Sequence, residues 1–308
     1  MGGWLALGIA LARFFPAQVQ QGSRWIGPFL YWVGVPLSII GFLRLTPLEG
    51  GVWLAVALAY VSYGVAWGSS WVWRWWRESR GEKMTAPQWA SFQLAAMLGN
   101  TGYIGYPVCL AVGGTDYFGW AILFDMLGTL FGAYGIGTWV AAQAGGSPAG
   151  VTAWTPRSVW DPWIQVSRSP AIWGFWVGIA TKGWVWPELP ERLLTAFSWG
   201  MIPLTLVLLG VRLAKIPGGQ MWGPAWAATG IRLVLVPLVI GGVAAGLPIP
   251  PLGKLVVIVQ AGMPPAMATL VLAETYHLDR DLTVATLALG MVGVLLTLPV
   301  WLWLWGPG

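Results

Sequence analysis

Ten stretches of this sequence are apolar and close to the length of about 20 residues that a helix needs to cross a bilayer. They fall at roughly 2–16, 26–45, 51–73, 88–112, 117–142, 169–184, 193–213, 225–246, 253–273 and 282–305. Backbone polar groups find no water in lipid, so each stretch is expected to close its own hydrogen bonds as a helix. Only 9% of residues are charged and 57% are hydrophobic. Soluble domains carry about a quarter charged residues, so the solvent of this chain is lipid. The 25 tryptophans fit that reading, because indole rings favour the membrane–water interface. "WLALGIALA" (Trp4–Ala12) ends in small residues, as a signal-peptidase site does. No Lys or Arg precedes it, so it reads as a short first span. The single cysteine, Cys109, excludes an intramolecular disulfide.

Basic residues set the expected orientation, because they collect in cytoplasmic loops. With the N-terminus outside, inside loops hold Arg13, Arg24, Arg74, Arg77, Arg80, Lys83, Arg157, Arg168, Arg212, Lys215 and Arg280. Outside loops then hold only Arg44, Lys182, Arg192 and Lys254. Both termini are therefore expected on the non-cytoplasmic side of a plasma (inner) membrane. The longest polar stretch lies between spans five and six. It divides the chain into a first five-helix repeat (1–142), a cytoplasmic linker (143–168) and a second repeat (169–308). The net charge of +5 belongs to this loop bias and calls for no nucleic acid. "WVWRWWRESRGEK" (Trp71–Lys83) reads as an aromatic anchor beside a basic inner loop that attracts anionic membrane lipids.

The halves resemble each other. Span two contains "WVGVPLSIIGFLRL" (Trp32–Leu45) and span seven contains "WGMIPLTLVLLGVRLA" (Trp199–Ala214). Pro36-Leu37-Ser38 aligns with Pro203-Leu204-Thr205, and an Arg follows in both. Span four has glycines and Pro107 where span nine has Pro264 and Pro265. Corresponding spans are five apart, an odd number, so the second half enters the membrane upside down.

The interruption "GNTGYIGYP" (Gly99–Pro107) is expected to break span four. Pro107 removes one N–H and blocks the carbonyl of Tyr103, and the glycines weaken the helix around it. A half-helix starting inside the membrane presents bare N–H groups and the positive end of its dipole, which suits an anion. Asn100 adds an amide that can donate to a carboxylate. The expected substrate site is Gly99, Asn100, Thr101 and Pro107 on span four with Met263, Pro264 and Pro265 on span nine. The alternative for these glycines is close helix packing. Gly64–Gly68, Gly128–Gly132 and Gly174–Gly178 are read that way.

These segments also resemble a known family. "GNTGYIGYP" is similar to the fourth span of the auxin efflux carriers, which include the plant PIN proteins and bacterial relatives. "AGMPPAMATLVLAETYHLD" (Ala261–Asp279) with "LLTLPVWLWL" (Leu295–Leu304) is similar to that family's last two helices, and "PLTLVLLGVRLA" (Pro203–Ala214) to its seventh. The resemblance implies an all-α polytopic membrane protein with ten transmembrane helices in two inverted five-helix repeats, and crossed, broken helices four and nine. It implies a scaffold and homodimer interface from spans 1, 2, 6 and 7, and a transport domain from spans 3–5 and 8–10. It implies export of an organic anion by an elevator-type motion. Asn100 matches the asparagine that contacts the substrate carboxylate in the PIN branch, and Pro107 and Pro264 match crossover prolines. Pro265 stands where that branch has glutamine. The third span lacks that branch's acid, and the long cytoplasmic loop is absent.

Asp125 lies within span five, and a carboxylate inside a membrane span marks a functional site by default. It is a candidate for proton or ion coupling, and Glu274, at the end of span nine beside His277, is a second. Arg232 is expected to snorkel to the inner surface. One lone histidine without clustered ligands supports no metal site, and no cofactor is expected. The leading reading is a secondary carrier for an organic anion, a carboxylate. The alternative is a proton- or sodium-coupled symporter of a related inverted-repeat fold; a channel is a further reading. An intramembrane lipid-modifying enzyme would need a cluster of catalytic groups that the sequence lacks. No G-x-x-x-x-G-K-[ST] loop for ATP is present.

Overall fold

A chain dissolved in lipid must pair its backbone locally, and the computed structural model follows that rule almost throughout. It describes residues 2–48, 50–144, 167, 169–213 and 222–306. Among these the elements are helical, and the exception is one isolated antiparallel bridge, Gly99 with Pro265. The expected linker, 143–168, lies almost wholly outside the described residues.

Helix α1 is Gly2–Phe14. Helix α2 runs from Pro16 through Phe29, a π turn at Leu30–Gly34, and Val35–Leu45. Pro16 opens α2 directly after α1, so no loop separates the first two helices, and Arg24 falls within a helix rather than the expected inside loop. Helix α3 is Leu54–Glu78. Helix α4 comes in two pieces, Ala86–Met97 and Tyr106–Gly113, the second entered by a π turn at Thr101–Gly105. Helix α5 spans Phe118–Ala144. Helices α6 and α7 are Pro170–Thr181 and Glu188–Leu213. Helix α8 comprises Trp222–Gly230, a π turn at Ile231–Leu235 and Val236–Ala245. Helix α9 is also in two pieces, Pro251–Ala261 and Ala268–Thr275, and α10 is Arg280–Trp305. Five helical stretches are long and apolar enough to cross a bilayer: Trp25–Leu45, Gly50–Glu78, Phe118–Ala144, Gly223–Ala245 and Arg280–Trp305.

Three of the π turns stand directly before an X-Pro pair, ahead of Pro36, Pro107 and Pro237. A proline inside a helix strands the carbonyl four residues back, and a π turn re-routes the chain around that defect. The carbonyl stranded by Pro237 is that of Leu233, and the Trp301 indole N–H of α10 donates to it at 3.1 Å.

Packing divides the helices into two groups. In one, α1 lies on α7, α6 lies on α2, and α2 lies on α7. Close approach is made possible by glycine: a Cβ at Gly174 of α6 would stand 2.6 Å from the Pro36 carbonyl oxygen. The α2–α6 pair is also latched by exchanged cations. Lys182, at the end of α6, donates to the carbonyls of Leu43 and Thr46 at the end of α2. Arg44, near the end of α2, donates to those of Thr181 and Trp184. Each cation sits where the partner helix has its negative end.

In the other group α3 packs on α4 and α5, α8 packs on α9 and α10, and α3 meets α8. Its centre is the first half of α4, where every residue from Trp89 to Met97 is buried. A helix without an exposed face belongs inside a bundle. Among the described residues Gly64 and Gly68 do not act as packing glycines: a Cβ on either would meet nothing there within 4 Å.

Candidate functional site

The two broken helices meet at their breaks. The first half of α4 begins with a capping box, Thr85 with Gln88, and ends at Leu98, whose backbone is extended. The Asn100 N–H donates to the Pro264 carbonyl at 2.7 Å, and the Ala266 N–H donates to the Leu98 carbonyl at 2.8 Å. These two bonds flank the Gly99–Pro265 bridge. Each break thus supplies what the other lacks, which is how non-helical backbone survives away from water. Pro264 and Pro265 lie in the break of α9 itself. Pro107 does not lie in the break of α4: that break falls at Leu98–Asn100, and Pro107 stands in the first turn of the helix beyond it. The π turn absorbs the proline, so the expectation that Pro107 stops the helix is corrected to a break carried by Gly99.

Asn100 caps the resumed helix. Its Oδ1 accepts from the Tyr103 N–H at 3.2 Å, and its side chain is 5% exposed. Among the described residues its amide NH2 donates to no protein acceptor. Thr101 and Gly102 begin the turn, so their N–H groups have no preceding helical turn to bond. The Thr101 hydroxyl donates to Asp125 Oδ1. Asp125 sits on a π turn of α5, Phe124–Thr129, and is buried. The other carboxylate oxygen lies toward Gly102, where an added Cβ would stand 3.2 Å from Oδ2. The Thr101–Gly105 turn also packs against α7, so this helix start lies where the two helix groups touch.

The opposite, negative ends of the first half-helices are covered by Arg232. Its Nε donates to the Met263 carbonyl at 3.0 Å and Nη1 to the Met97 carbonyl at 3.0 Å. Nη2 reaches the Gln260 carbonyl at 3.4 Å. One guanidinium therefore ties the end of α4's first half to the end of α9's first half. Arg232 is 1% exposed and does not snorkel to a surface as expected. The carbonyls freed by two helix breaks hold it inside the bundle instead. Gln260 is fully buried beside it, donating from Nε2 to the Ala121 carbonyl at 3.2 Å.

The structure thus brings Gly99, Asn100, Thr101, Asp125, Met263, Pro264 and Pro265 to one crossing, with Pro107 one turn away. It does not bring Glu274 there. Glu274 is exposed and pairs with Arg280 at 3.2 Å. Arg232 and Gln260 are the crossing residues that sequence reasoning missed. The available signal was a lone arginine within an apolar span, because a charge there is costly and is kept only where it has a partner or a function.

A model of the family described as membrane transport protein matches residues 158–302. The chain is 30% identical over 216 residues to an uncharacterized transporter of Methanocaldococcus jannaschii, spanning 68% of this chain and 67% of that one. It is 28% identical over 227 residues to an uncharacterized transporter of Methanothermobacter thermautotrophicus, spanning 73% of this chain and 70% of that one. The chain is a membrane transporter belonging to the membrane transport protein family, the group that includes the auxin efflux carriers.

Proposed function

We propose that this transporter is a secondary carrier for a small organic anion, a carboxylate, and that it binds the anion at the crossing of α4 and α9. The observation that carries this reading is Asn100. It is a buried amide with free donors, held at a helix start inside an apolar bundle by the hydrogen bond to Pro264. Helix starts and amide donors together favour a carboxylate.

The helix packing supports two inverted five-helix repeats. α1 on α7 is answered by α6 on α2, α3 on α4 by α8 on α9, and α3 on α5 by α8 on α10. Ser38 and Thr205, two residues after the aligned prolines, donate to the carbonyls of Gly34 and Met201, four residues back in each case. α1, α2, α6 and α7 then form a scaffold and homodimer interface, and the other six helices form a transport domain that moves as an elevator. The crossing lies in the moving group but faces α7, as a carried site must. The loop charges favour both termini on the outside of a plasma membrane.

Coupling to a proton or to sodium is the second reading, favoured by the buried Asp125 at the same helix start. The test is uptake by proteoliposomes of labelled acetate, lactate, succinate and benzoate, with Asn100→Ala as control. Saturable uptake with counterflow, lost in Asn100→Ala, is expected. Undiminished uptake of every anion in Asn100→Ala overturns the site, and uptake without counterflow indicates a channel.

A further inference from the structure

Two opposite charges are buried at the crossing, and they do not pair with each other. Arg232 spends its three donor atoms on the carbonyls of Met263, Met97 and Gln260. Those carbonyls belong to two helix ends, each carrying about half a negative charge. The guanidinium is therefore neutralised where it lies. Asp125 is 7% exposed, and among the described residues it forms no ion pair. Its compensation comes from the Thr101 hydroxyl, from the neighbouring Tyr106 hydroxyl and from the helix start at Thr101 and Gly102, which offers about half a positive charge.

That helix start is the place where an incoming carboxylate would bind. We propose that Asp125 occupies the anion position of the empty carrier, and that a substrate carboxylate takes this position only when Asp125 holds a proton. This rests on the reading of the crossing as the carboxylate site. Two full negative charges against half a positive one repel, and two carboxylates sharing a site retain one proton between them. The proton comes from the aqueous side and adds to a carboxylate oxygen of Asp125, giving a neutral acid; no other bond changes. The substrate carboxylate then accepts from the N–H groups of the helix start and from the Asn100 amide. Binding one anion takes up one proton, so the loaded crossing keeps the charge of the empty one.

The groups around Asp125 leave the titration to it. Tyr63 comes from α3, Tyr106 and Cys109 from the second half of α4, and Arg232 from α8. In their ordinary ranges none changes charge between about pH 5 and about pH 7.5. α6 carries no ionisable residue, and α9 presents Gln260, while its Lys254 donates to the Ala245 carbonyl at the helix's far end.

The experiment measures the affinity of full-length protein in lipid nanodiscs for the panel carboxylate that binds, over the pH range in which that probe stays ionised. The wild-type protein is expected to lose affinity as pH rises, by up to about ten-fold per unit, the limit for one proton. Asp125→Asn is expected to bind with no pH dependence and, at the alkaline end, more tightly than wild type. A structural role for Asp125 predicts weaker binding at every pH instead. Asp125→Ser serves as a second neutral variant should the Asn variant misfold, and Asp125→Glu is expected to keep the slope. A flat wild-type profile, or an unchanged slope in Asp125→Asn, overturns the proposal while leaving the carboxylate site standing. Absence of binding by any panel anion to wild type overturns the site itself.

Discussion

Arg232 and Gly99 are in contact in a way that no other residue at position 99 would allow. A Cβ at Gly99 would stand 2.7 Å from Arg232 Cζ and 2.9 Å from its Nε. The guanidinium cannot retreat, because it is held by carbonyls on two helices. Gly99→Ala is therefore expected to destabilise the protein by roughly 1–3 kcal/mol, as overpacking of a rigid interior does. Transport should fall with it, since the bridge to Pro265 must shift. Thermal unfolding in detergent and uptake by proteoliposomes check this; a wild-type melting temperature would show that the guanidinium has room to move.

Arg232 itself has three carbonyls to satisfy. Arg232→Met keeps the bulk and leaves those buried carbonyls without a donor, at roughly 1–3 kcal/mol for each that finds no other partner. Arg232→Lys keeps the charge but concentrates its donors on one atom, which cannot span two helix ends as a planar fork does. The expected order of stability is wild type, then Lys, then Met. Equal melting temperatures for Lys and wild type would mean that charge, rather than the fork, holds the crossing.

The sequence showed where the helices break but not what binds the breaks together. The glycines and paired prolines were legible because they are locally poor helix formers, a property that needs no partner. Asp125 and Asn100 were legible for a related reason: a polar group within an apolar stretch stands out by itself. Arg232 was equally visible, yet its role depends on carbonyls of Met97 and Met263, which are remote in sequence and carry no signature in their side chains. Backbone groups look the same at every position, so a site built from them is hidden until the chain is folded. Pro107 misled for the opposite reason. Its local effect is real, but a π turn absorbs it before the helix has to stop.

Asn100 does two things, and they can be separated. Its Oδ1 caps the Tyr103 N–H, while its NH2 is free for a ligand. Asn100→Asp keeps the cap and places a negative charge where the proposed anion binds. Asn100→Ala removes the cap, at about 1 kcal/mol. The Asp variant sets a second buried carboxyl beside Asp125, so it is expected to melt below wild type at alkaline pH, where both would ionise, and to bind carboxylates at least ten-fold more weakly there. Equal carboxylate affinity in the Asp variant would move the anion away from residue 100.

Glu274 provides the contrast with Asp125. Its ion pair with Arg280 is exposed, and such pairs contribute between zero and about 1 kcal/mol. Glu274→Gln is expected to leave melting temperature, uptake and its pH profile unchanged. A pH profile altered by Glu274→Gln would place a coupling group at the end of α9, outside the crossing.

Two glycines from similar motifs should respond in opposite directions. Gly174 lies against the backbone of α2, with the Pro36 oxygen 2.6 Å from where a Cβ would stand. Gly174→Ala must push α6 off α2, and the exchanged cations Lys182 and Arg44 would lose their alignment with the neighbouring helix ends. A loss of roughly 1–3 kcal/mol follows from overpacking. Gly68 lies on α3, and among the described residues a Cβ there meets nothing within 4 Å. Within the chain, Gly68→Ala only exchanges a poor helix former for the best one, a gain of up to about 1 kcal/mol. Melting curves of the two variants in the same detergent make the comparison. Destabilisation by Gly68→Ala would mean that the open face of α3 is covered by a second molecule rather than by lipid, because only a close backbone partner penalises a single methyl group.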